Sequence, residues 1–298
     1  MKLRNDLFYT PQEITKNYVE SGHKRATLSS KKLILLGILA GAFIAFAAEG
    51  SNQAIHTIES VGIGKALAGA LFSTGLMMVI MAGGELFTGN CLIIISCAEG
   101  RTRWRDMAKN LFFVYIGNFI GSVLIAYLIF KSGQLGFSGG LLGGYTIKTA
   151  TYKTGLTFTN AFILGILCNW LVCIAVWMAS AAKDITGKVF AIFFPIWLFI
   201  TSGFEHSIAN MYYIPAGIMA KSNPAFVEQA IKLGVSPEKI AALNWGTFIT
   251  KNLIPVTLGN IVGGAVCVGL AYWFIYSHKS VNLVEENSPN NTLLKETA

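Results

Sequence analysis

The sequence predicts an all-α integral membrane protein with six transmembrane helices, arranged as two inverted three-helix repeats with broken second and fifth helices. Three observations lead to this prediction: the composition, an internal repeat and two polar segments inside apolar spans. Of the 298 residues, 53% are hydrophobic and 13% are charged, whereas soluble domains carry about 25% charged residues. This composition excludes a soluble enzyme.

Six apolar runs reach the length of roughly 20 residues that a helix needs to cross the hydrocarbon core. They cover residues 33–57, 66–97, 108–130, 157–181, 189–219 and 253–276. An even number of spans puts both termini on one side of the membrane. That side carries 15 Lys and Arg residues and the other side carries 8. The positive-inside rule therefore predicts a multi-pass protein of the cell membrane with cytoplasmic N- and C-termini.

The spans divide the chain into three parts. Residues 1–32 are predicted to form a cytoplasmic segment with an amphipathic surface helix, because Thr10, Pro11 and Glu13 have the spacing of a helix start. Residues 33–276 form the transmembrane domain, and the polar residues 277–298 form a disordered cytoplasmic tail. The net charge of +8 lies in loops and termini, so it indicates the lipid bilayer rather than nucleic acid as a partner.

The two halves of the chain resemble each other. Seven residues within 109–121 recur 142 positions later, within 251–263. Two further matches keep the same order: Leu-Gly-Ile-Leu at 36–39 and 164–167, and a Glu/Asn pair at Glu85 and Asn90 and at Glu205 and Asn210. Since each half has three spans, the second half enters the membrane from the opposite side, as in many transporters. The alternative is convergent glycine spacing for helix packing.

Two polar segments, residues 83–90 and 202–210, interrupt the second and fifth spans at equivalent positions of the repeat. Paired glycines and polar side chains disfavour a continuous helix there. Irregular backbone at this depth is tolerated only inside protein or beside a cavity. The segments therefore predict two broken helices that face a path, with helix N-termini that attract an anion.

Glu85, Glu205 and His206 are the ionisable residues nearest the predicted midplane. For the glutamates a structural role is favoured, in which each carboxylate accepts N–H bonds from a broken helix end. A metal site is less favoured, because one histidine and two acids from different spans lack the usual ligand clustering. No metal or cofactor is predicted. Histidine titrates near pH 6.5, so proton handling or conduction by His206 is favoured over a packing role.

These motifs resemble those of the formate/nitrite transporter family. Residues 83–89 are similar to its first signature and residues 165–173 to its second. Residues 204–211 are similar to a segment of its formate channels, and residues 252–264 to their last span. The similarity extends over about residues 10–276.

The resemblance implies an aquaporin-like fold, a homopentamer with one path in each protomer, and transport of formate or similar small monovalent anions of weak acids together with protons. It implies that His206 is a central pore histidine, Asn169 a neighbouring hydrogen-bond partner, and Thr88 a hydroxyl on the first broken loop. Lys153 matches a vestibule lysine that attracts the anion. Apolar constrictions above and below the histidine match Phe72, Leu76, Leu86 and Phe199.

Several alternatives to a formate channel remain open. Nitrite, hydrosulfide, lactate and acetate differ from formate by few atoms, so the sequence separates them poorly. A membrane-embedded enzyme using Glu205 and His206 lacks a second catalytic cluster. A pore for water or neutral solutes lacks paired Asn-Pro-Ala loops. A bare anion loses much more hydration energy in an apolar constriction than a neutral acid does, so we expect His206 to assist protonation of the anion.

Overall fold

The computed structural model describes residues 8–277, which form helices and contain no strand. Within these residues, five helical stretches are long and apolar enough to cross a membrane: Ser30–Ile55, Val61–Gly83, Trp104–Ser132, Phe158–Ala181 and Trp245–Tyr276. The predicted fifth span consists of two shorter helices. The all-helical membrane fold is confirmed, and the predicted tail lies outside the described residues except for Ser277.

The first half begins with α1 (Pro11–Ala26), which starts at the predicted capping box of Thr10 and Glu13. The elements that follow in this half are α2 (Ser30–Ile55), α3 (Val61–Met78) with a π-helical turn (Val79–Gly83), α4 (Phe87–Asn90) with a 3₁₀ turn (Cys91–Ile93), α5 (Ile94–Ala98) and α6 (Trp104–Ser132). A 3₁₀ turn (Gln134–Gly136) and α7 (Leu141–Thr154) then connect the two halves.

The second half begins with α8 (Phe158–Ala181), α9 (Ile185–Thr201) and α10 (Ser207–Ala220). Two short helices, α11 (Pro224–Lys232) and α12 (Pro237–Ala242), lead to the last span. That span is built from α13 (Trp245–Thr247), a π-helical turn (Phe248–Leu253), α14 (Ile254–Ile261), a second π-helical stretch (Val262–Leu270) and α15 (Ala271–Tyr276).

The breaks in the second and fifth spans are confirmed, but they are shorter than predicted. Only residues 84–86 and 202–206 leave the helix, while Thr88, Asn90 and Asn210 lie on helices. The prediction that these three residues belong to irregular segments is wrong. Polar side chains do not prevent a helix when they find partners within the protein, so the helix resumes directly after each break.

The connections at 131–156 and 220–252, expected as loops, contain α7, α11 and α12. These helices bury a second, smaller hydrophobic cluster that includes Leu142, Ile147, Phe226 and Ala230. The cluster matters for the site because it fixes α7, which carries Lys153 near its C-terminal end.

Glycines allow α2 to pack closely against α6, and α8 against α14. A Cβ atom at Gly37 would lie 2.9 Å from the Val114 carbonyl oxygen, and one at Gly165 would lie 2.8 Å from the Val256 carbonyl oxygen. Small residues bring membrane helices into such contact because little hydrophobic force acts between helices in lipid. The two pairs therefore hold the segments beside each break in matching positions.

Candidate functional site

The first break is held open by Asn118 of α6. Its side-chain amide donates to the carbonyl oxygens of Gly37 (2.8 Å) and Glu85 (2.9 Å), and its Oδ1 accepts from the Phe87 backbone N–H at 2.9 Å. The Glu85 N–H donates to the Leu36 carbonyl at 3.2 Å. These bonds replace the helical ones that the break removes.

Asn260 of α14 holds the second break in the same way. Its amide donates to the carbonyl oxygens of Gly165 (2.8 Å) and Glu205 (3.0 Å), and its Oδ1 accepts from the Ser207 N–H at 2.9 Å. The Glu205 N–H donates to the Leu164 carbonyl at 3.2 Å. Each bond of the first break has an equivalent in the second.

The glutamates bond to side-chain amides rather than to backbone N–H groups of the broken ends, which corrects the expectation from the sequence. Glu85 accepts from Asn90 at 2.6 Å, and Asn90 also donates to Asn110 at 2.8 Å. The guanidinium of Arg25 lies 3.9 Å from the Glu85 carboxylate and donates to Asn90 at 3.1 Å. Three backbone donors around this break have other acceptors: the N–H groups of Gly84, Glu85 and Phe87 donate to Val79, Leu36 and Asn118.

Glu205 has matching partners and a closer cation. Asn210 donates to its carboxylate at 2.6 Å, and Asn252 donates to the same oxygen at 3.3 Å. The ammonium of Lys153 donates to the other oxygen at 2.8 Å, and only 12% of the lysine side chain is exposed. Lys153 is therefore a largely buried ion-pair partner of Glu205, and its role as a vestibule lysine that attracts the anion stays a prediction.

His206 and Thr88 meet where the two breaks come together. The Thr88 Oγ1 lies 3.0 Å from Nε2 of His206, and both side chains are buried. Nδ1 of His206 accepts the Ala209 backbone N–H at 3.2 Å and so caps the start of α10. A ring nitrogen that accepts a hydrogen bond carries no proton. This arrangement therefore assigns a neutral ring whose Nε2–H donates to Thr88, and it leaves the Thr88 O–H free to donate elsewhere.

Asn169 lies beside this pair without bonding to the imidazole. Its amide donates to the backbone carbonyl oxygens of Thr88 (3.2 Å) and Asn260 (2.6 Å). The Thr88 carbonyl belongs to the helix after the first break, and the Asn260 carbonyl belongs to the residue that holds the second break. Asn169 therefore links the two breaks.

The four predicted constriction residues are all buried and fall into two groups. Phe72 and Phe199 pack edge to face with ring centroids 5.8 Å apart, and the Phe199 ring lies 6.1 Å from that of His206. Leu76 and Leu86 instead line a cavity of about 380 Å³. The two groups lie in different surroundings, and their role as constrictions above and below the histidine stays a prediction.

Two cations that no sequence motif indicates line that cavity. Arg25 of α1 and Lys188 of α9 line it together with Glu85 and Tyr18. Both basic residues had counted only toward topology. The asparagines at 110, 118, 252 and 260 lie in the repeated segments, and the signal that could have identified them is a polar amide inside an apolar span, which has to find partners within the protein.

The fold and the site define a helical multi-pass membrane protein in which two broken helices meet around a buried His–Thr pair. Residues 12–274 match the family model described as formate/nitrite transporter. The chain belongs to the formate/nitrite transporter family. This membership also confirms the prediction that the protein is a transport protein and not an enzyme.

Individual relatives cover most of the chain. It is 44% identical to "Formate channel FocA" of Haemophilus influenzae, over 88% of this chain and 92% of the relative. It is 40% identical to "Formate channel FocA" of Escherichia coli K12, over 89% and 94%. A solved structure titled "Pentameric formate channel with formate bound" matches with a TM-score of 0.75 and 40% identity, covering 83% of this chain and 97% of that one.

Proposed function

We propose that this protein is a homopentameric channel for formate and similar small monovalent anions of weak acids. Family membership and the similarity to a pentameric channel with formate bound support this function. The observation within the chain that carries it is the buried contact between His206 and Thr88, at the junction of the two broken spans. The repeated hydrogen bonds of the two breaks support an inverted repeat of six spans.

The cytoplasmic orientation of both termini is part of the proposal and rests on the excess of Lys and Arg in residues 1–32 and 98–109. In this orientation the cavity with Arg25 and Lys188 faces the cytoplasm. Labelling of single cysteines at residues 105 and 131 with an impermeant maleimide tests it. Labelling of residue 131 alone in intact cells is expected, and labelling of residue 105 alone would contradict the orientation.

Charge controls entry to the path. Arg25 and Lys188 line the inner cavity, so they raise the local concentration of anions there. At the second break, the positive charge next to Glu205 is that of Lys153. A carboxylate that approaches Lys153 has to share the ammonium with Glu205, so we expect Lys153 to attract anions weakly and to hold the second break firmly.

The His206–Thr88 pair can assist protonation of the anion. The Thr88 hydroxyl accepts from Nε2–H and can donate its own hydrogen to a carboxylate between the constrictions. If His206 is an imidazolium, Nε2 gives its proton to Thr88, and Thr88 gives its hydrogen to the carboxylate. The products are a neutral acid and a neutral ring. Because Nδ1 accepts from Ala209, the imidazolium forms only after that bond opens.

The neutral acid then crosses the apolar constrictions at a lower desolvation cost than the anion. Phe199 lies next to His206 and packs against Phe72, and Leu76 and Leu86 border the inner cavity. The protein therefore combines two charged entrances with a central pair that lowers the charge of the permeating species.

Formate flux into proteoliposomes, measured as a function of external pH, tests this function. His206→Asn keeps an oxygen that can cap α10, since Asn is among the best N-cap residues, but it cannot carry a proton. We expect it to fold normally and to lose the part of the pH dependence of flux that His206 supplies, whereas His206→Ala loses the cap as well. An unchanged pH profile in His206→Asn would reduce His206 to a structural cap.

Flux of nitrite, lactate and glycerol in the same vesicles tests the substrate class. Entry of formate and nitrite without glycerol is expected. Rapid glycerol entry without anion flux would indicate a neutral-solute pore instead.

A further inference from the structure

Glu49 of α2 is a buried acid without a basic partner. Glu49 is only 3% exposed. The other two buried acids of the spans, Glu85 and Glu205, have Arg25 and Lys153 beside them. Among residues 8–277 no Lys, Arg or His forms an ion pair with Glu49. Its known partner is Tyr212 of α10, whose O–H donates to the Glu49 Oε2.

Three polar atoms on the same turn of α2 have no hydrogen-bond partner among the described residues: the Glu49 Oε1, the Asn52 Nδ2 and the Gln53 Oε1. Residues three and four positions apart lie on one helix face, so these three side chains share one face of α2. Two of the three atoms are acceptors and only one is a donor. A proton on the Glu49 Oε1 makes this atom a hydrogen-bond donor. The Gln53 Oε1 can accept that hydrogen bond, directly or through a water molecule. The site therefore has the composition of a proton-binding site.

The groups nearest Glu49 do not balance a negative charge. From α10, the Tyr212 O–H bonds to Glu49, and the centroid of the Tyr213 ring lies 5.8 Å from that of the Tyr212 ring. From α7, the Lys153 ammonium lies 5.3 Å from the Tyr213 ring centroid but bonds to Glu205. The recorded contacts thus run from Glu49 to Tyr212, then to Tyr213 and then to Lys153.

The remaining elements packed against α2 also direct their charges elsewhere. On α3, the Lys65 ammonium lies beside Gly203. On α6, Lys131 lies over the rings of Tyr127 and Phe130. On α2 itself, His56 bonds to the Gln53 carbonyl and to Ser138. A bare carboxylate at this position would be costly, because an unpaired buried charge is poorly stabilised in a membrane interior.

We propose that Glu49 is a second proton-binding group of this protein, and that Tyr212 transmits its protonation state to α10, the half-helix that begins after His206. Loss of the proton creates a charged acceptor, and hydrogen bonds to charged acceptors are shorter and stronger. The stronger bond draws Tyr212, and with it α10, toward α2. The consequence for transport rests on the proposed function, whereas the proton site does not.

Infrared difference spectra of the full-length protein between about pH 5 and pH 8 test the proton site directly. We expect a carboxylic C=O band in the wild type that is lost in Glu49→Gln and kept in Glu59→Gln, an exposed matched control. Glu49→Leu provides a second variant if Glu49→Gln does not fold. Absence of the band from the wild type, or its persistence in both Glu49 variants, overturns the proton site.

The same spectra test the role of Tyr212. We expect a pH-dependent tyrosine ring band that is lost in Glu49→Gln and in Tyr212→Phe and kept in Tyr213→Phe. Its persistence in Tyr212→Phe overturns the transmission.

In proteoliposomes, Glu49→Gln and Tyr212→Phe are expected to lose the same pH-dependent part of formate flux, and Glu59→Gln to keep it. Wild-type protein that moves no formate would refute the proposed function, while the infrared bands would still decide this inference.

Discussion

The two helix breaks share a scaffold and differ in chemistry. Asn118 and Asn260 make equivalent bonds, and so do Asn90 and Asn210. At the capping position, however, Leu86 corresponds to His206, and two residues later Thr88 corresponds to Ile208. Each break therefore supplies one member of the polar pair. The pair exists only where the two halves meet, so neither half could form the site alone.

The cations beside the breaks also differ. The Arg25 guanidinium is 3.9 Å from Glu85 and 38% of its side chain is exposed, whereas Lys153 is 2.8 Å from Glu205 and 12% exposed. The first break therefore keeps a cation that is accessible from the cavity. At the second break the cation is largely buried and bonds to Glu205.

The largest effect is expected from removing the asparagines that hold the breaks. Asn118→Leu and Asn260→Leu each delete three side-chain hydrogen bonds, and a buried group left without a partner costs about 1–3 kcal/mol. We expect both variants to unfold far below the wild type in detergent thermal melts, and the exposed Asn160→Leu to be neutral. If only one of the two is destabilised, the scaffolds are not equivalent.

Removing the cation beside each break should destabilise the protein by different amounts. Lys153→Met leaves Glu205 as an unpaired buried charge, with an expected loss of about 3–5 kcal/mol. Arg25→Met disrupts a longer and more exposed pair and should cost about 0–1 kcal/mol. Thermal melts measure both, and Glu205→Gln should partly restore the Lys153→Met protein. Equal losses at the two breaks would contradict the difference in burial.

Removing the hydroxyl of the central pair tests the chemical difference. Thr88→Val preserves the side-chain shape but deletes a hydrogen bond worth about 0.5–1.5 kcal/mol, so formate flux should fall by about two- to tenfold. Thr88→Ser should retain most of the flux. Full flux in Thr88→Val would show that the hydroxyl does not act on the permeating anion.

The smallest effect concerns the helix that brings Arg25 to the first break. Hydrogen bonds from the Thr10 backbone and side chain hold the pKa of Glu13 below its usual value of 4.5. A lowered carboxyl pKa stabilises the folded state above that value, and the benefit is lost as pH falls through the lower pKa. The protection factors of the α1 amides, which are corrected for the intrinsic effect of pH on exchange, should therefore fall at acidic pH in the wild type. In Thr10→Ala the protection factors should be lower at neutral pH and should depend less on pH.

The sequence was informative where a pattern depends on local chemistry. The capping box of α1 and the glycine-rich breaks follow from short-range rules, and the structure has both. The exact limits of the breaks did not follow, because Thr88, Asn90 and Asn210 become helical once their side chains find partners on other helices. Helix α7 was also missed, since its buried face is completed by α10 and α11.

By itself, the sequence determined the membrane character and the positions of the two breaks, and it predicted a duplicated unit and a central role for His206. Only the tertiary structure decided that Thr88 bonds the imidazole, that Nδ1 is occupied by Ala209, that Lys153 is paired, and that Arg25 reaches the first break. The reason is physical: hydropathy and helix breaks are local properties of the chain. A hydrogen bond between residues 118 positions apart exists only after the two halves have packed together.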